Sequence, residues 1–155
     1  MSDTLKDTLQ TDLTTAMKAR DELRSATLRM VLTAVRSEEV AGKAARVLSD
    51  EEVVTVLQRE AKKRREAAEA YDGAGRTEQA ARERDELGVV ETYLPTPLTD
   101  DELAELVDEA VLVATGEGLT GMGAMGAVMS QLKEKVAGRA DGKRLSGAVR
   151  ARLQA

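Results

Sequence analysis

From Leu5 onward an apolar residue returns at every fourth position, at Leu5, Leu9, Leu13 and Met17. That spacing gathers all four on one face of an α-helix, with polar residues on the others. Leu28, Val31, Leu32 and Val35 mark a second helix, expected to stop near Gly42, where a residue without Cβ suits a C-cap. Arg20 to Glu22 forms the joint between the two. Ser49-Asp-Glu-Glu52 has the spacing of a capping box, with acids in the first turn. It opens a long helix through Val53, Val56, Leu57 and Ala61 to Tyr71, ended by Gly73 and Gly75. Thr77 is placed to cap a fourth helix that reaches about Tyr93.

Leu94-Pro95-Thr96-Pro97 is the clearest break in the pattern. Two prolines one residue apart cannot continue a helix, because each lacks an N–H and restricts the residue before it. A domain boundary is expected there, separating an N-terminal helical domain, 1–94, from a C-terminal domain, 98–155. Thr99-Asp-Asp-Glu102 is a second capping box, opening a helix that carries Leu103, Leu106, Val107 and Ala110 and ends at Gly116 and Gly118. Met122, Met125, Met129, Leu132 and Val136 form a sixth stripe, closed by Gly138. Leu145, Val149 and Leu153 mark a last helix. The expected fold is all-α, a four-helix region followed by a three-helix bundle. The second domain has only 58 residues, near the lower limit for a self-sufficient core.

Composition strengthens the helical reading and narrows the chemistry. The apolar residues are almost all Ala, Val, Leu and Met, and there is no Ile, Phe or Trp. Ile and the aromatic residues, which favour strands, are therefore nearly absent, and good helix formers dominate. Without Cys there are no disulfides and no thiolate chemistry; without His the commonest general base and zinc ligand are missing. No metal and no cofactor are expected. The polar, periodic stretch Met1 to Leu13 does not look like a signal peptide. No apolar run approaches the ~20 residues a membrane span needs, so a cytoplasmic location is the default expectation. Carboxylates are plentiful, but acids in helix first turns already serve the helix dipole. No catalytic pair and no activated nucleophile can be picked out.

Gly121-Met-Gly-Ala-Met-Gly126 matches GxGxxG, and Asp141 follows Gly121 by twenty residues. A dinucleotide site would need a strand before the motif and a second strand ending at the acid. Here helices are expected at both places, so close backbone packing at a helix start is the better reading. The Met122, Met125 and Met129 stripe is first a core feature, with an adaptable partner groove as the alternative. Lys62-Lys-Arg-Arg65 is flanked by Glu60, Glu66 and Glu69, which favours a solvated, self-neutralised face over a phosphate site.

The formal charge of −5 speaks against nonspecific nucleic-acid binding by the whole chain. Its distribution is uneven, however. From Gly116 to the end there are seven cations and three acids, a net of +4, which leaves −9 on the first 115 residues. Between Leu94 and Thr115 stand six acids and no cation. A basic tip on an acidic body can touch RNA phosphates locally, although ordinary surface charge accounts for the same residues. Tyr71 and Tyr93 are the only aromatic residues. A stacking platform for single-stranded bases is thus nearly excluded, and any RNA would be recognised by phosphates and shape.

Asp12-Leu-Thr-Thr-Ala-Met-Lys-Ala-Arg20 with Leu28-Arg-Met30, and Gln58-Arg-Glu-Ala-Lys-Lys-Arg-Arg65 followed by Ala70-Tyr71 and Ala74-Gly-Arg76, resemble the corresponding stretches of YqeY-like proteins. Tyr93-Leu-Pro95 before an acidic helix is similar to that family's hinge. Met125-Gly-Ala-Val-Met129 followed by Lys135-Val-Ala-Gly-Arg-Ala-Asp-Gly-Lys143 resembles the glycine-and-methionine helix and loop shared with the tail of the GatB amidotransferase subunit. The resemblance is therefore to the GatB/YqeY family and spans nearly the whole chain. It implies a module like the GatB tail, which helps hold tRNA while other parts of that enzyme, a glutamine-dependent carbon–nitrogen ligase, do the chemistry. A chain similar to the tail alone lacks both active sites of that enzyme. The candidate RNA contacts are Lys133, Lys135, Arg139, Lys143 and Arg144. The alternatives are a non-catalytic protein-interaction module and an amide-transfer enzyme.

Overall fold

A computed structural model describes residues 3–155. Among the described residues there are seven α-helices and no strand. In chain order they are α1 (Leu5–Lys18), α2 (Glu22–Glu39), α3 (Asp50–Gly73), α4 (Thr77–Glu91), α5 (Asp100–Gly116), α6 (Met125–Val136) and α7 (Gly142–Leu153). A 3₁₀ turn, Gly121–Ala124, leads into α6. The chain divides into two compact units, Met1–Leu94 and Pro95–Ala155.

In the first unit α1 packs on α2, and α3 lies along α4. Leu9, Leu28, Val31, Leu32, Val35, Val53 and Leu57 are fully buried, at the spacings that predicted the helices. The N-terminal ends of several helices are satisfied by nearby side chains, as orphan backbone groups require. The Ser49 hydroxyl accepts from the Glu52 N–H at 3.2 Å, and Glu52 reaches back to the Ser49 N–H at 3.3 Å. Thr4 and Asp7 form a further capping box on α1. Arg20 takes a left-handed backbone conformation with φ +57° at the joint. Asp21 then caps α2 by accepting from the Arg24 N–H at 3.0 Å.

Three expectations at helix ends are corrected. α2 stops at Glu39, short of Gly42. The buried Glu39 carboxylate accepts from Lys6 at 2.7 Å and from the Leu48 N–H at 3.3 Å, which holds the departing chain at that point. The Lys6 hydrogen bond, ahead of the opposing cost of desolvation, keeps its pKa below the usual carboxylate value. Thr77 lies inside α4 and caps nothing; Arg76 precedes it and supplies no side-chain cap. Gly75, at φ +73°, lets the Arg76 N–H return to the Tyr71 carbonyl at 2.8 Å, so α3 closes and α4 opens across only three residues, 74–76. α6 ends one residue before the expected closure at Gly138, at a C-cap made by Ala137 with φ +49°.

The run Lys62 to Arg65 is not uniformly solvated. Arg64 is only 4% exposed, between α3 and α4. Its Nη1 donates to the Glu60 carboxylate at 3.0 Å and to the Glu60 carbonyl at 3.1 Å. Its Nε stands 3.6 Å from the Glu86 carboxylate of α4, as an ion pair without a hydrogen bond. Arg82 closes on the other Glu86 oxygen at 3.6 Å. Lys62 and Arg65 are exposed, as expected.

In the second unit α5, α6 and α7 each touch the other two. Their core holds Leu98, Leu103, Val107, Ala110, Val128, Leu132, Val136, Leu145 and Val149. Thr99 and Glu102 complete the expected capping box at α5. Gly121–Gly126 lies in the 3₁₀ turn and first residues of α6, and Asp141 caps α7, so neither has the strand context of a dinucleotide site. Met125 and Met129 pack against the core, whereas Met122 is 46% exposed. No single helix among the described residues is long and apolar enough to cross a membrane.

Candidate nucleic-acid interface

The five candidate cations fall on a single stretch of the second unit. Lys133 and Lys135 occupy the last turn of α6, and Arg139 lies in the connecting turn. Lys143 and Arg144 stand in the first turn of α7. The left-handed Ala137 and the positive φ of Gly138, +80°, reverse the chain in two residues. The fold thereby brings the C-terminal end of one helix and the N-terminal end of the next to the same loop. Lys133 and Lys135 sit favourably at the negative end of the α6 dipole. Lys143 and Arg144 sit at the positive end of α7, where cations cost stability and anions are attracted. Asp141 offsets part of that cost, its carboxylate accepting from the Arg144 N–H at 2.7 Å.

The side chains differ in what they already hold. Arg139 ties the loop to the start of the unit. Its Nε donates to the Thr96 carbonyl at 2.8 Å, and its carbonyl accepts from the Leu98 N–H at 2.9 Å. Both bonds pin the segment before α5 to the α6–α7 turn. Its Nη2 also reaches Glu102 at 3.4 Å. Arg144 pairs with Asp100 at 2.9 Å, and Lys135 lies 3.9 Å from Glu109. Lys133 and Lys143 are exposed and make no ion pair among the described residues. Further along α7, Arg152 pairs with Asp108 at 2.8 Å. The acids of α5 thus lie against the cations of the tail, and Pro95–Ala155 carries nine acids to seven cations, a net of −2. Glu102 keeps its pKa below the usual carboxylate value, chiefly through the Thr99 backbone and hydroxyl hydrogen bonds, with Arg139 adding to them. Among the described residues no group of three or more carboxylates is placed to hold a metal ion.

The family model of the YqeY-like protein matches residues 6–153, almost the full length of both units. The chain belongs to the YqeY-like family. No curated protein matches it.

Two features of this YqeY-like fold become visible only with the topology. The first is the pairing of α5 with the tail. Six acids without an intervening cation, next to a basic segment, are its signal, and the three-helix topology turns that contrast into ion pairs. The second is a polar tie in the first unit. Tyr93, which the sequence marks only as part of the hinge, donates its hydroxyl to Asp12 at 2.6 Å and accepts from Arg24 at 2.8 Å. The Arg24 guanidinium also lies 5.7 Å from the centre of the Tyr93 ring. Burial first, and then the Asp12 carboxylate, push the Tyr93 hydroxyl up to about 12. This links the end of α4 to α1 and α2. Tyr93 lies more than sixty positions from both of its partners, so no local pattern reports the tie.

Proposed function

We propose that this YqeY-like chain is a tRNA-binding accessory module without a catalytic centre of its own, acting in the cytoplasm. The observation that carries the reading is the gathering of Lys133, Lys135, Arg139, Lys143 and Arg144 at the α6–α7 loop. Phosphate attracts this combination of cations and a helix N-terminus. The resemblance of this loop to the GatB tail supports tRNA as the nucleic acid. Lys133 and Lys143 have no carboxylate partner among the described residues and are the leading phosphate contacts. Lys135 and Arg144 join them by exchanging α5 carboxylates for phosphates. Arg139 organises the loop.

With so few aromatic residues, recognition rests on backbone shape, so a folded RNA should be preferred over a flexible one. The test is a titration of the full chain into labelled tRNA and into an unstructured RNA of equal length, at two salt concentrations. Tighter and salt-sensitive binding to tRNA supports the module. Equal, weak binding to both RNAs rejects it.

A second reading, a non-catalytic protein-interaction module, is favoured by one observation. Four exposed large apolar side chains, Leu112, Val113, Leu119 and Met122, fall within a short stretch of the second unit.

A further inference from the structure

α5 has two faces with different partners. One packs into the core through Leu103, Val107, Ala110, Val111 and Ala114. Along its flanks Asp100, Glu102, Asp108 and Glu109 pair with cations of the same unit. The face turned to solvent carries Asp101, Glu105 and Leu112, whose separations of four and seven residues set them in one line. Leu112 is 69% exposed there. Asp101, Glu105 and Glu117 make no ion pair among the described residues. Isolated exposed leucines are ordinary, but Val113, Leu119 and Met122, within ten residues of this one, are exposed as well.

The geometry beside this line is concave. The chain bends by 101° between α5 and the stretch Gly121–Val136. A shallow hollow of about 260 Å³ lies between α5 and α6, lined by Val113, Ala114, Glu117, Ala127, Ser130 and Gln131. Its floor is small and uncharged apart from Glu117. An apolar side chain from outside can seat there while its neighbours lie over the acids of α5.

We propose that the outer face of α5 and the adjoining hollow dock a basic amphipathic helix of a partner protein, its apolar stripe on Leu112, Val113 and Met122 and its cations toward Asp101, Glu105 and Glu117. Charge selects the occupant. From Asp100 to Glu117 there are seven acids and no cation. A second copy presenting the same face would set those acids against their like, and an anionic nucleic acid or lipid surface would be repelled. A helix with Lys and Arg around an apolar stripe satisfies both the unpaired acids and the exposed apolar residues. At Asp101 the surface borders the α6–α7 loop, through the neighbouring pairs Asp100–Arg144 and Glu102–Arg139, but its apolar part at Leu112, Val113 and Met122 uses none of the loop cations.

The probe is a fluorescein-labelled 18-residue peptide of Leu and Lys with the leucines on one helical face. A second peptide has the same composition with the leucines scattered. Titrated with the full chain, the striped peptide should bind at least tenfold more tightly than the scattered one. Leu112→Ser with Val113→Ser should weaken it at least tenfold. Glu105→Lys with Glu117→Lys should do the same while leaving the apolar residues intact, which guards against a folding defect in the first variant. Glu78→Lys with Asp85→Lys, exposed acids of the first unit, should change nothing. Equal binding of both peptides, or an equal loss from the first-unit reversals, overturns the proposal. So does a peptide-free dimer in sedimentation that depends on Leu112, which would assign the face to a second copy.

Discussion

Arg64 and Tyr93 show how single side chains hold the first unit together. Arg64 is a buried cation whose charge is answered by Glu60 and Glu86. Removing it takes away the buried cation that Glu60 and Glu86 share and leaves them only the more exposed Lys63 and Arg82. Arg64→Ala is expected to cost about 3–5 kcal/mol, the range for breaking a buried pair from one side, read as a lowered urea midpoint. Tyr93 is held protonated in the fold. Its pKa rises from 10.0 to about 12, so the folded state keeps a proton that the unfolded chain releases first. The stability it contributes is complete below about pH 10 and is lost as pH climbs from there to about 12. Tyr93→Phe should cost about 1 kcal/mol at neutral pH, for a half-buried bond to a carboxylate, and should flatten that alkaline decline. Denaturant midpoints for the two proteins between pH 8 and 12 check both parts.

At the scale of the element, the helices follow from their periodicity and the sharpest boundaries from their caps. Ser49 and Thr99 are capping boxes in the sequence and in the fold. Departures from the expected pattern at Glu39 and Arg64 are decided by distant groups, and that at Thr77 by the turn just before it. Nothing near Gly42 announces that Glu39 will be held by Lys6 and Leu48. Thr77 is a good cap by residue type, but Gly75 closes α3 so tightly that the helix begins before it can act. The charge run Lys62 to Arg65 hides a buried member because the residue that receives it, Glu86, is on the next helix. The candidate site shows the same limit. Its cations and the acids of α5 are plain in the sequence, while their pairing needs the topology. That pairing makes a prediction of its own. Asp100→Asn with Asp108→Asn releases Arg144 and Arg152 and removes two repulsive charges, without touching the Thr99–Glu102 box. tRNA should then bind several-fold more tightly, measured by anisotropy at fixed salt. Unchanged or weaker binding would show that the α5 acids do not compete with phosphate.

Across the whole molecule, each unit has its own buried core, one around Leu28, Leu32 and Leu57 and one around Val107, Val128 and Leu132. The polar ties and the buried ion cluster described above belong to the first. The second carries the cationic loop, the acidic helix that partly neutralises it, and an exposed apolar run at α5 and the turn that follows. A net charge of −5 speaks against nonspecific binding of nucleic acid by the whole chain. Any tRNA binding must therefore come from a few cations in one place. The most direct measurement is the salt dependence of tRNA affinity for the native chain and for Lys133→Ala with Lys143→Ala. A clear negative slope is expected for the native protein. In the double variant the slope should shrink by about two units, roughly one for each lost phosphate contact, with weaker binding at every salt. An unchanged slope and affinity would contradict the α6–α7 loop as the tRNA-binding surface.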